Sequence, residues 1–225
     1  MNKAENNLLI AASGTGGHIF PALTIAEEIS DYWEISWLGI KSRCEVDLVP
    51  KKYDLYLLDF ETPSQKNIFL IYQYLRIIFS TFRVLKIINE RNISLIFTTG
   101  GYISAPTIIA AKISNIPIII HESNLEPGLV TKYFGRFCNY VLTGFKDTEK
   151  YLINSRTINT GTPLRQQFYI SNKLPDWVPY NQEPLILVMG GSQGATGINQ
   201  MLYYSLDFLL KKNIRVVHIV GFNEN

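Results

Sequence analysis

Leu8-Leu9-Ile10-Ala11-Ala12-Ser13-Gly14-Thr15-Gly16-Gly17-His18-Ile19-Phe20-Pro21 runs from an apolar strand through a glycine turn into a helix. Continuous rather than alternating apolar residues over 8–12 signify a strand covered on both faces, the habit of parallel sheets flanked by helices. The glycines let the chain turn tightly, and the helix that follows offers unpaired N–H groups to an anion. Pro21 reads as a residue that helps to start that helix. Taken alone, the turn is also a plain strand-to-helix connection, and His18 also a helix cap.

Outward from this stretch the pattern repeats. Leu8–Ala12, Glu34–Gly39, Leu55–Phe60, Ile93–Thr98, Pro117–His121, Tyr140–Thr143 and Thr157–Thr160 are predicted strands, with room for helices or turns between them. Strands of this kind alternating with helices predict a doubly wound α/β fold with a parallel sheet. Ser171–Pro184, which holds Pro175, Pro179 and Pro184, reads as a linker between a first domain, 1–170, and a second, 185–225. The second opens as the first does: a strand Leu185–Met189, a glycine turn Gly190–Gly194, a helix from about Ala195 to Lys212 and a strand Ile214–Val220.

Composition narrows the function. Twenty-one Lys and Arg against 19 Asp and Glu leave a net charge of +2, which argues against nucleic acid as a partner. The chain is 47% hydrophobic and 18% charged, enough to fill a core and too apolar for disorder. Its two cysteines, Cys44 and Cys138, stand far apart, which excludes a disulfide scaffold or a spaced zinc site and fits a reducing cytoplasm. The short apolar run after Met1–Asn7 is too brief for a signal-peptide core.

Three loops at one sheet edge carry candidate chemistry. In the first, His18 has an imidazole suited to taking a proton from a hydroxyl. Gly100-Gly101-Tyr102-Ile103-Ser104-Ala105-Pro106 brings a second glycine turn to the carboxyl edge, where open α/β sheets bind ligands. His121-Glu122-Ser123-Asn124 closes another apolar strand, with His121 read as structural and Glu122 as a ligand-facing or capping carboxylate. Beyond them, Arg165 in Gly161-Thr162-Pro163-Leu164-Arg165 can offer its fork of donors to a diphosphate, and Ser192 in Gly190–Gly194 can hold a phosphate. That turn lacks the Lys-Ser/Thr ending of a nucleoside-triphosphate loop.

Ile68–Ile88 is a greasy stretch in which Arg76, Arg83 and Lys86 fall near one side of a helix. Charges interrupt it too often for a membrane span. It reads either as an amphipathic helix on an anionic membrane or as a core helix with a solvated basic face.

Residues 13–21, 100–106, 121–124 with Gly128-Leu129, 162–165 and 190–195, in this order and spacing, resemble the bacterial peptidoglycan glycosyltransferase family MurG. The resemblance runs from about Leu8 to Gly221, with Ser13, Ser123, Thr131 and Thr162 departing from the residues common in the family. It implies a GT-B architecture of two Rossmann-like domains, the second incomplete here, with the active site in the cleft between them. It implies an inverting, metal- and cofactor-independent transfer of N-acetylglucosamine from UDP-N-acetylglucosamine to lipid I, forming lipid II at the cytoplasmic face of the bacterial inner membrane. His18 would be the catalytic base. Thr15, Gly16, Gly17, Asn124, Arg165 and Ser192 would bind the donor, and Gly100, Gly101, Tyr102, Ser104 and Glu122 the acceptor. Arg76, Arg83 and Lys86 would meet the anionic inner-membrane surface. Family members continue past this chain's end, so a truncated, inactive acceptor-binding domain is the alternative. A dinucleotide-dependent oxidoreductase is disfavoured, because the glycine spacing differs and the second strand ends Gly39-Ile40-Lys41 without an acid for the ribose.

Overall fold

The computed structural model describes residues 6–41, 45–59, 70–170, 173–178, 180–191 and 194–221. Cys44, Phe60, the first two residues of the Ile68–Ile88 stretch, Ser171, Pro179 and Ser192 lie outside them. Contacts divide the chain into two compact units, Met1–Tyr169 and Ile170–Asn225.

In the first unit the strands are β1 (Asn7–Ala11), β2 (Glu34–Ile40), β3 (Asp54–Leu58), β4 (Leu95–Thr98), β5 (Ile118–Glu122), β6 (Tyr140–Thr143) and β7 (Thr157–Asn159). They form one sheet in the order β3-β2-β1-β4-β5-β6-β7, every pair parallel. The helices are α1 (Gly16–Ile29), α2 (Glu45–Leu48), α3 (Leu70–Glu90), α4 (Ser104–Ile113) and α5 (Leu129–Phe134).

Both faces of the sheet are covered, as the unbroken apolar strands require. Leu8 and Ile10 of β1 belong to a core with Ile19, Ala22 and Ala26 of α1 and the fully buried Trp37. Leu9 and Ala11, pointing the other way, pack with Val84 and Ile87 of α3 and Ile108 of α4. The predicted strands are all present, with ends shifted by one or two residues.

One expectation is corrected. Pro21 does not start α1 but sits inside it, after the helix has begun at Gly16 with Thr15 as its cap. The first turn is closed instead by the N–H groups of His18 and Ile19 donating to the Thr15 carbonyl. Without an N–H, Pro21 cannot donate to the Gly17 carbonyl, so the helix forgoes one hydrogen bond there.

Helix ends follow a recurring device. Asn92, Asn115 and Asn213 take positive φ of 47°, 55° and 55°, each followed by isoleucine. The N–H of that isoleucine donates five residues back, Ile93 to Ile88, Ile116 to Ala111 and Ile214 to Leu209. This is a left-handed cap that ends the helix and starts the chain toward the next strand.

The second unit pairs β8 (Leu185–Met189) with β9 (Arg215–Ile219) in parallel across α6 (Thr196–Lys211). Asn199 on α6 ties it to β9: its Nδ2 donates to the Val220 carbonyl at 3.1 Å, and its Oδ1 lies 2.8 Å from His218 Nε2. Gly194 admits no side chain, because a Cβ there would stand 2.5 Å from the Val220 carbonyl oxygen.

Candidate functional site

The strand order reverses between β1 and β4, and there the loops after both strands meet. That crevice is where a doubly wound sheet presents its ligand site. His18, in the first turn of α1, is half-buried, and its Nδ1 lies 2.7 Å from the carbonyl oxygen of Thr99, just past β4. A carbonyl only accepts, so Nδ1 carries a hydrogen, and in the neutral ring the lone pair falls to Nε2.

Glycines clear the space around that nitrogen. Gly14, Gly100 and Gly101 all have positive φ, 106°, 87° and 77°, a conformation that side chains resist. A Cβ on Gly101 would lie 3.9 Å from His18 Nε2, and one on Gly100 3.9 Å from His18 Cε1. Thr131 of α5 borders the same spot, its Oγ1 3.6 Å from a Cβ placed on Gly100. The hydroxyls of Ser13, Thr99 and Thr131 are buried with no hydrogen-bond partner among the described residues. Sequence reasoning gave Ser13 and Thr131 no role and marked them only as departures from the residues common in the family the sequence resembles.

The other residues expected at the acceptor side divide into surface and support. Tyr102 is 39% exposed beside the glycines. Ser104 is fully buried: its hydroxyl lies 2.6 Å from Thr98 Oγ1, which donates to the Ala11 carbonyl, so it braces β1 and β4 from beneath the loop. Glu122 is also buried. Its Oε1 accepts from the backbone N–H and side-chain amide of Asn124 at 3.0 and 2.8 Å, and its Oε2 from the Gly128 N–H at 3.0 Å. Those bonds shape the 122–128 loop and hold Asn124, whose carbonyl also accepts from the Thr148 hydroxyl at 3.0 Å.

His121 is nearly fully buried, with Nε2 2.9 Å from the Gly161 carbonyl and Nδ1 3.3 Å from the Ser123 hydroxyl. Burial pushes its pKa below the ordinary 6.5, partly offset by the bond to Gly161, so it stays neutral and structural. The buried Cys138 thiol is pushed up to about 12 by desolvation and offers no nucleophile. Among the described residues no three His, Cys, Asp or Glu side chains gather as metal ligands.

On the donor side, Thr15, Gly16 and Gly17 form the cap and first turn of α1. Arg165, after β7, stacks over the Phe20 ring at 4.2 Å from its centre. Ser192 lies outside the described residues. Arg83 and Lys86 are exposed on α3 and Arg76 is half-buried. Leu75, Ile78, Phe79 and Phe82 are exposed with them, Phe79 at 67% and Phe82 at 63%. No described helix is long and apolar enough to cross a membrane.

Residues 8–143 match the model of the glycosyltransferase family 28 N-terminal domain. The chain is 64% identical over 217 residues to the UDP-N-acetylglucosamine--N-acetylmuramyl-(pentapeptide) pyrophosphoryl-undecaprenol N-acetylglucosamine transferase of Prochlorococcus marinus strain MIT 9215, a match covering 96% of this chain and 60% of that protein. It is 60% identical over all 225 residues to the protein of the same name from Prochlorococcus marinus subsp. pastoris, covering 62% of it. The crystal structure of Acinetobacter baumannii MurG superposes with a TM-score of 0.69 at 25% identity, over 91% of this chain and 58% of that one. The chain thus spans about three fifths of the length of the curated relatives it matches.

Proposed function

The chain belongs to glycosyltransferase family 28, and from that premise we propose that it carries the acceptor side of an inverting enzyme that moves N-acetylglucosamine from UDP-N-acetylglucosamine to lipid I, making lipid II. The names of its relatives support the substrates. The observation that carries the reading is the His18–Thr99 hydrogen bond of 2.7 Å, which fixes the tautomer a general base needs.

A hydroxyl of the acceptor's muramic acid attacks the anomeric carbon of the donor sugar. As the new C–O bond forms, the bond from that carbon to the diphosphate oxygen breaks and UDP leaves with the electron pair. The hydroxyl's proton passes to His18 Nε2, and attack opposite the leaving group inverts the anomeric centre. The resulting imidazolium is stabilised by its Nδ1–H bond to the Thr99 carbonyl.

Gly100, Gly101 and Tyr102 line the acceptor's approach, while Ser104 and Glu122 hold that surface in place from below. Thr15, Gly16, Gly17, Asn124 and Arg165 serve the donor. The α1 N-terminus and the guanidinium offset negative charge growing on the diphosphate. The exposed apolar residues of α3, with Arg76, Arg83 and Lys86, meet the anionic cytoplasmic face of the membrane in which a lipid-linked acceptor lies.

Binding of a soluble lipid I analogue, followed residue by residue in amide NMR spectra of the 225-residue chain, tests the acceptor reading. Shifts should concentrate at His18, Gly100, Gly101 and Tyr102. Saturable binding that leaves those amides unmoved contradicts it.

A further inference from the structure

The Arg165 guanidinium carbon lies 4.2 Å from the centre of the Phe20 ring and 5.5 Å from that of Phe168. Among the described residues no hydrogen bond or ion pair engages it. The usual way to immobilise an arginine is through its N–H fork, which uses up the donors a ligand needs. Here the restraint comes from a ring that the cation lies over, and its N–H donors stay available.

Phe20 is itself held. It is half-buried against the core on the α1 side of the sheet, and its ring crosses Gly16 so closely that a Cβ there would stand 2.8 Å from the ring's Cε2. The absence of a side chain at Gly16 therefore makes room for the ring as well as for a ligand. A second tie acts on the next residue: Gln166 Nε2 donates to Glu28 Oε1 on the same helix at 3.2 Å. Two consecutive residues, Arg165 and Gln166, thus fasten the segment after β7 to α1, the first of them at Phe20, two positions beyond His18.

We propose that Phe20 is a positioning residue: its ring holds the Arg165 guanidinium through a cation–π contact and leaves the N–H donors free to receive a diphosphate. This rests on Arg165 as an anion ligand, the role given to it under Proposed function. Leucine at position 20 fills much of the volume but offers no π face. Lysine at position 165 keeps the charge but has no plane to stack.

The test uses the 225-residue chain with inorganic pyrophosphate as probe. In NMR spectra the Arg165 side-chain protons of the wild type should show an upfield ring-current shift that Phe20→Tyr keeps and Phe20→Leu loses. Pyrophosphate affinity should fall about two- to fivefold in Phe20→Leu, the range expected for an exposed cation–π contact, and stay at the wild-type value in Phe20→Tyr. Arg165→Lys approaches the contact from its other side without touching the core, and Phe20→Leu should weaken binding no further in that background. A ring-current shift indifferent to Phe20→Leu, or an equal loss from Phe20→Leu in the wild-type and Arg165→Lys chains, overturns the positioning role while leaving Arg165 as a ligand. Wild-type and Arg165→Gln chains that bind pyrophosphate equally, or not at all, overturn the reading of Arg165 and the positioning role with it.

Discussion

His121 and His18 stand at the same sheet edge with different fates for their nitrogens. His121 has both engaged, by the Gly161 carbonyl and the Ser123 hydroxyl, whereas a single backbone carbonyl holds His18 by one. Because burial lowers the pKa of His121 below 6.5, the unfolded chain takes up a proton first as the pH falls. The stability linked to this group is fully present above pH 6.5 and is lost as the pH drops from there through the folded pKa. The melting temperature should therefore decline below pH 6.5, and His121→Gln, which can still donate to Gly161 but does not titrate, should flatten that decline. Parallel pH profiles of melting temperature for the two proteins would refute the assignment. Glu122 makes a second case: Glu122→Ala leaves the Gly128 and Asn124 N–H groups without their carboxylate, and chemical denaturation should register a loss of about 2–3 kcal/mol.

At the scale of elements, the three Asn-Ile helix ends make a local claim. Asn115→Gly should cost nothing or add slightly to stability, because glycine adopts positive φ freely, while Asn115→Ala should cost about 1–2 kcal/mol by denaturant unfolding. Helix α3 makes a surface claim. Replacing Arg83 and Lys86 by Glu should reduce flotation with anionic liposomes, since each basic residue near such a surface contributes about 1 kcal/mol. Phe79→Ser with Phe82→Ser should reduce flotation with neutral liposomes too. Unchanged retention of both variants would remove α3 from the membrane.

The strands were legible in the sequence because a strand buried on both faces must be apolar throughout. Glycines at strand ends marked the loops because few other residues tolerate their φ. Partners across distance were not legible. Nothing near Glu122 shows that the Gly128 N–H returns to it, nothing near His18 names the Thr99 carbonyl, and 145 positions separate Phe20 from Arg165. Pro21 misled because its preference for a first turn is a tendency, overridden here by a helix that begins earlier on its two glycines.

For the molecule as a whole, we propose that the proline-bearing segment 171–184 connects the seven-stranded unit to a second parallel α/β unit that opens with β8, α6 and β9. The chain spans about 60% of the length of its relatives, so the proposal that His18 is the base of an N-acetylglucosaminyl transfer calls for a chimera. In it this chain replaces the matching part of the 64% identical Prochlorococcus marinus protein, and transfer from UDP-N-acetylglucosamine to a lipid I analogue is measured with and without His18→Ala. The chimera should transfer, and removing the imidazole should cost about 10²- to 10⁴-fold in kcat while leaving the KM for the donor within about twofold of the unaltered value. A His18→Ala chimera that transfers at the unaltered rate would contradict it.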